Sequence, residues 1–299
     1  KNLKIVMACH DELFPIEISV ACRKKKIPTI GIQDKLFVSN TISLLIFDFY
    51  FVAGEKSRNI TKTRMSKPYI QEIRKMYLTK MDKYKNLKNG ENNFADYKLK
   101  CVVMDYQSNP DWYKNGRALT LSWRVNGDFY KLITSLADNY PQIKFLIKSK
   151  NYQWLHIPYL KKIVDKMKQK KNILILSNQS EWTPVKSLEV ADFGIARPGS
   201  LAEEMLFIGK PVIIYNNYNG LPKKAFDFGE KIFANNFKEI SEKLDSILKD
   251  YTKYNSELEQ DRKKLFYKKE EGKLNKELNE IFLNIKKNTC SEISNNIIN

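Results

Sequence analysis

The chain has 299 residues and 42% hydrophobic content, which excludes a disordered chain and allows one large or two modest domains with a substantial core. Lys and Arg number 52 against 34 Asp and Glu, a formal charge of +18. That excess points to an anionic partner such as a phosphorylated substrate or a membrane lipid, or reflects only the lysine usage of an AT-rich genome. No nucleic-acid fingerprint lies among the basic runs, so nucleic acid is not an expected partner. Cys9, Cys22, Cys101 and Cys290 lack C-x-x-C spacing, and His10 and His156 form no H-x-x-x-H pair. Neither a disulfide framework nor a metal site is therefore expected. No apolar run reaches the roughly 18 residues of a membrane span, and no signal peptide is visible. The expected location is cytoplasmic, extending to a peripheral site on the inner face of the cytoplasmic membrane.

Residues 3–8 read as a buried strand, 15–26 as a helix with Pro15 in its first turn, and 29–33 as the next strand. This βαβ pattern predicts parallel strands, whose carboxyl ends receive ligands. Asp11, Glu12, Gln33 and Asp34 are thereby candidates for a cleft. Residues 42–47 read as helix or strand and 48–53 as a further strand, with Gly54 and Glu55 at its end. Tyr69, Ile73, Met76 and Tyr77 fall on one face of an expected amphipathic helix over 68–81. Residues 86–93 are polar and read as a linker, with the domain boundary near 95. The first domain, 1–95, looks abridged, and residues upstream of Lys1 are expected.

A second domain, 96–250, begins with a strand at 100–104 that ends in Asp105. A helix over 129–140 leads to a strand at 144–148, which leaves Lys148 and Lys150 at its carboxyl end. A helix at 158–170, a strand at 172–176 and a loop at 177–183 follow. Residues 190–196 form a compact apolar run that stops at Arg197-Pro198-Gly199, a turn signal. Ser200 then opens a helix, and Ser200-Leu201-Ala202-Glu203 fits a capping box. Gly209 ends that helix and 211–215 is the next strand. Asp192 is expected to be structural, since a buried strand seldom opens with an unpaired carboxylate. Helical spacing resumes at 237–251, and helices over 251–299 complete the chain with a fraying end.

Strand, glycine turn, helix opening and strand together aim backbone N–H groups at an anion. The string Asp192, Gly194-Ile195-Ala196, Gly199-Ser200, Glu203-Glu204 and Gly209-Lys210-Pro211-Val212 resembles the donor-binding element of GT-B glycosyltransferases. Residues 26–33 and 47–55 are similar to the end of the first Rossmann domain in bacterial surface-polysaccharide transferases. Many of those relatives carry Gln-His-Gly where this chain has Gln33-Asp34-Lys35, so a histidine role is missing here. Residues 266–273 resemble the tail helix of such enzymes, which crosses back to the first domain. The resemblance implies an α/β, GT-B-like fold: two Rossmann-type parallel-sheet domains facing a cleft, the first one abridged, with a C-terminal helical tail.

It also implies a transferase that moves a sugar from a nucleotide-activated donor to a growing surface glycan of the capsule, lipopolysaccharide or teichoic kind. A CMP-linked acidic sugar is weakly favoured as donor, and UDP- and GDP-sugars stay open. The nucleotide sugar is a co-substrate, and no cofactor or metal is called for. Lys148, Lys150, Arg197 and the Gly199-Ser200-Leu201 turn would hold the donor phosphate. The loop from Ser177 to Thr183 would receive the base. Glu204 would meet the ribose, with Glu203 held in the capping box and the two exchangeable by helical phase. Proton transfer or nucleophilic attack needs a carboxylate, and Asp11, Glu12, Asp34, Glu55 and Asp105 all remain candidates. Three other functions compete: a CDP-alditol phosphotransferase, a sugar-nucleotide epimerase, and a non-catalytic module for nucleotides or anionic lipids.

Overall fold

A computed structural model describes residues 5–8, 16–33, 46–64, 70–84, 87, 94–105, 123–178, 180–197, 199–216, 231–268, 270 and 272–284. Asp11, Glu12, Asp34 and nearly all of the expected 86–93 linker lie outside the described residues. The chain divides into two compact units, Lys1–Thr79 with Lys263–Asn299, and Lys80–Arg262.

In the first unit, β1 (Val6–Ala8), β2 (Thr29–Ile32), β3 (Phe47–Val52) and β4 (Ile70–Lys75) form a parallel sheet in that order. α1 (Ile16–Lys24) links β1 to β2, and α2 (Glu55–Arg64) follows β3. Ala8, Phe47, Tyr50, Val52 and Ile70 pack as one buried cluster, joined by Tyr267 from the returning chain. The charge inside the apolar run at 42–53 is accounted for. Asp48 accepts hydrogen bonds from the Thr29 amide at 2.8 Å and the Thr29 hydroxyl at 3.0 Å, tying β3 to β2. Gln33 is also structural. Its amide donates to Ser57 at 3.0 Å, and its carbonyl accepts from the Ala53 amide at 2.9 Å.

The expected helix over 68–81 is corrected: residues 70–75 are the strand β4, followed by a 3-10 helix at Thr79–Tyr84. Pairing with β3, Phe47 opposite Ile70 and Tyr50 opposite Ile73, overrides the helical spacing of the apolar residues. β4 closes one end of the strand order, where its charges are tolerated. Arg74 pairs with Glu72 at 2.8 Å and lies over the Phe49 ring at 5.7 Å. The expected tail helix over 266–273 is corrected as well. Residues 266–268 are extended chain anchored by the Tyr267 amide on the Ala53 carbonyl at 2.7 Å. Helix resumes over 273–284, beyond Gly272 at φ 71°.

In the second unit, six parallel strands stand in the order β10-β9-β8-β5-β6-β7. They are β5 (Leu99–Met104), β6 (Ile143–Lys148), β7 (Ile173–Ile175), β8 (Phe193–Ala196), β9 (Val212–Tyr215) and β10 (Phe233–Ala234). α3 (Trp123–Asn139), α4 (Lys161–Lys168), α5 (Pro184–Val190) and α6 (Ser200–Phe207) alternate with them. α7 (Phe237–Lys249) and α8 (Tyr251–Glu257) close the series, and the division between the units falls within α9 (Glu259–Leu265). Every residue of β6 and β8 is buried, as expected for parallel strands covered on both faces. Asp192 has the structural role expected of it: its carboxylate accepts from the Lys100 amide at 2.7 Å, fixing β8 against β5.

Candidate functional site

The strand order of the second unit reverses between β5 and β8. From β5 the chain runs outward through β6 and β7; from β8 it runs the other way through β9 and β10. A gap outside the carboxyl ends of strands at such a reversal is where open α/β sheets bind ligands. Register places Met104 opposite both Lys148 and Ala196, so Lys148 ends β6 at that level and Asp105 and Arg197 follow one residue further along the same carboxyl edge.

Their surroundings are polar and closely built. Asp105 accepts from the Ser149 hydroxyl at 2.7 Å and from the Tyr130 hydroxyl. The Trp154 indole N–H donates to Ser149 Oγ at 2.9 Å, and its ring stacks on Tyr130 with centroids 4.1 Å apart. Burial pushes the Asp105 carboxyl up to about 6, against the opposing pull of its hydrogen bonds and the Arg197 charge. Lys148 is buried, which lowers its pKa, while the Asp105 charge acts in the opposite direction. Its ammonium donates to the Ser149 carbonyl at 3.2 Å and lies 5.6 Å from the Tyr152 ring centre. Arg197 is buried too and donates to Asn126 in the first turn of α3. Two cations and a carboxyl group of raised pKa thus line the reversal point. Such an edge is suited to a phosphate.

α6 opens beside them, and its cap differs from the expected capping box. Gly199 is the N-cap, extended at φ −176° and ψ 165°, and Ser200 is the first helical residue. The helix therefore starts one residue earlier relative to Glu203 than the box requires. Glu203 is fully buried rather than reaching back to the cap. Gly199 has no side chain to cap the first amides, those of Ser200 and Leu201. Glu204 is also buried, with one oxygen, Oε2, taking both the Tyr84 hydroxyl and the Lys83 ammonium, the latter at 3.1 Å.

The remaining expected residues are dispersed. Lys150 and Ser177 are exposed. Thr183 caps α5, its hydroxyl accepting from the Lys186 amide at 3.2 Å. Trp182, in the same loop, is buried with Leu146, Leu176 and Val190. Glu55 belongs to the first unit. It opens α2, accepts from the Tyr267 hydroxyl at 2.7 Å and has its pKa lowered by that hydrogen bond. Sequence reasoning did not single out Ser149, Tyr130, Trp154, Tyr84 or Asn126. A tryptophan close behind a lysine-bearing strand end was the available signal, because a buried indole N–H requires an acceptor. Among the described residues no group of His, Cys, Asp and Glu is arranged to hold a metal ion. No helix among them is long and apolar enough to cross a membrane.

No protein-family model matches the chain, and no curated protein is recognisably similar to it in sequence. Solved structures share its fold. S. aureus MnaA in its co-structure with UDP has a TM-score of 0.61 at 12% identity, covering 94% of this chain and 76% of MnaA. UDP-GlcNAc 2-epimerase from Neisseria meningitidis bound to UDP-GlcNAc has a TM-score of 0.50 at 17% identity, covering 85% of this chain and 70% of the epimerase. The chain has the GT-B fold: two Rossmann-like parallel sheets with a helical C-terminal region.

Proposed function

We propose that the protein is a glycosyltransferase that moves a sugar from a nucleotide donor to an acceptor hydroxyl of a bacterial surface glycan. The observation that carries this reading is a pair of buried cations, Lys148 and Arg197, at the carboxyl edge of the second sheet where its strand order reverses, with the uncapped opening of α6 close behind Arg197 in the chain. As the bond from the sugar to the donor phosphate breaks, negative charge grows on the leaving nucleotide. Lys148, Arg197 and the amides of Ser200 and Leu201 stabilise that charge without a metal. The acceptor hydroxyl gives its proton to a carboxylate. Two described carboxylates remain candidates for it: Asp105, engaged by Tyr130 and Ser149 at this edge, and Glu55 of the first unit, held ionised by the Tyr267 hydroxyl. Asp105 positions Ser149 and offsets the two cations before the donor arrives.

The bound UDP and UDP-GlcNAc of the two solved proteins support a uridine nucleotide over the CMP-linked donor expected from sequence. The second reading, a sugar-nucleotide epimerase, is favoured by the fold likeness to a UDP-GlcNAc 2-epimerase. One experiment separates them. A thermal-shift panel of UDP, CMP, CDP and GDP identifies the nucleotide, UDP being expected to raise the melting temperature by several degrees. The matching nucleotide sugar is then incubated with the protein. Release of free nucleotide supports the transferase; conversion of the sugar with the nucleotide still attached supports the epimerase. No stabilisation by any nucleotide removes both readings.

A further inference from the structure

Away from the reversal point, the described residues of the first unit line an open pocket of about 270 Å³. Lys75 and Tyr77, at the end of β4, line one side, and Tyr267, Lys268, Glu270 and Lys273 of the returning chain line the other. Two backbone hydrogen bonds fix its place. The Met76 amide donates to Val52 at 2.9 Å, and the Tyr267 amide to Ala53 at 2.7 Å. The pocket therefore lies at the carboxyl ends of β3 and β4, the edge of a parallel sheet that receives ligands.

Its lining sets the chemistry of the occupant. Three lysines face one carboxylate, that of Glu270, and Glu270 is neutralised by Lys273 at 2.6 Å. Lys75 lies 5.0 Å from the Tyr267 ring centre and 3.9 Å from Glu55. Lys268 is exposed and has no ion pair among the described residues. Two tyrosines provide aromatic surface of the kind that packs on sugar rings, with hydroxyls at their tips. The volume is just under the range of about 300–1,000 Å³ typical of drug-sized ligands. It admits a single ring rather than a nucleotide sugar.

We propose that this pocket binds one anionic sugar residue, a pyranose carrying a phosphate or a carboxylate. The ring lies against Tyr77 and Tyr267, and the anion between Lys75 and Lys268. That this residue belongs to the acceptor rests on the transferase reading; that the pocket binds it does not.

The test is calorimetric titration of the full chain with glucose 6-phosphate, glucuronate and glucose, repeated with saturating UDP. At least one anionic sugar is expected to bind about tenfold or more tightly than glucose. Whichever it is tells a phosphorylated sugar from a uronic acid. The double variant Lys75→Ala/Lys268→Ala, both positions at the surface, is expected to lose that preference and keep its melting temperature. Should the variant unfold, wild-type binding that fades at high salt carries the same information. Equal binding of glucose, no binding of any of the three, or binding indifferent to both the lysines and salt overturns the proposal. UDP affinity is read on the same proteins. Sugar-phosphate binding without UDP binding sinks the transferase reading and leaves the pocket standing; UDP binding without anionic-sugar binding does the reverse.

Discussion

Ser149 donates a 2.7 Å hydrogen bond to Asp105 while accepting one of 2.9 Å from Trp154, so the end of β5 is locked to a buried indole. The locked carboxyl has its pKa pushed up to about 6 by burial. In the unfolded chain it ionises near its ordinary value of 3.8. Between those two values the folded state binds the extra proton, so stability falls as pH rises through this window and levels off above it. The shift corresponds to a loss on the order of 2–3 kcal/mol, an upper bound for a side chain that keeps some contact with water. Asp105→Asn keeps an acceptor for Ser149 and Tyr130 but cannot ionise. Denaturant unfolding at several pH values is expected to show this decline in the wild type and a flatter profile in the variant.

Lys210, part of the Gly-Lys-Pro-Val string, serves the fold. Its ammonium donates to the carbonyls of Leu188, Glu189 and Ala191 at 2.8, 2.9 and 2.7 Å, closing the C-terminal end of α5. A cation there also faces the negative end of the helix. Lys210→Met leaves those acceptors without a charged donor and is expected to cost about 1–3 kcal/mol in equilibrium unfolding. Nucleotide affinity, measured by titration on the folded variant, is expected to hold.

Gly54 marks where the returning chain meets the first sheet. A Cβ built there would lie 2.0 Å from the Leu265 carbonyl oxygen, a backbone atom that moves only if the segment moves. Gly54→Ala is therefore expected to destabilise the first unit by about 1–3 kcal/mol or more. Hydrogen exchange gives the local reading: amides over 263–284 should lose protection, while those of β5 and β6 keep theirs.

Much of the second sheet was legible from sequence because its strands are short apolar runs bounded by turn residues. β5, β6, β8 and β9 fall where the pattern placed them, and Asp192 is paired as its position required. β4 was not legible. Its apolar residues sit at helical spacing, and only the pairing with β3, distant in sequence, makes it a strand. The strand-end cations Lys148 and Arg197 could be found because parallel strands expose their carboxyl ends. Their supporting shell could not. Ser149, Tyr130 and Trp154 come from a strand end, the middle of a helix and a 3-10 turn, and no local spacing links them. The capping box failed by one residue, because Gly199 in an extended conformation took the cap position that the Ser-x-x-Glu spacing assigned to Ser200.

Glu204 offers the most direct test of the donor site. Both of its charged or hydroxyl partners, Lys83 and Tyr84, meet the same oxygen, Oε2. The carboxylate is thereby held in one orientation, and both of these contacts leave Oε1 aside. If that oxygen accepts from the ribose, as the sequence reading proposes, Glu204 discriminates by hydroxyl. Titration of the wild type is then expected to show UDP bound more tightly than 2′,3′-dideoxy-UDP, by about 1–3 kcal/mol for the lost charge-assisted hydrogen bonds. Glu204→Gln should weaken UDP and narrow that gap. Tyr84→Phe should act in the same direction but less strongly, because it loosens the carboxylate without removing it, and should also cost about 1–3 kcal/mol of stability for a buried acceptor that loses its donor. Lys83→Ala should change stability by less than about 1 kcal/mol, since that side chain is 43% exposed. An unchanged gap in Glu204→Gln would place the ribose elsewhere and leave Glu204 as the anchor that holds the Thr79–Tyr84 turn to α6.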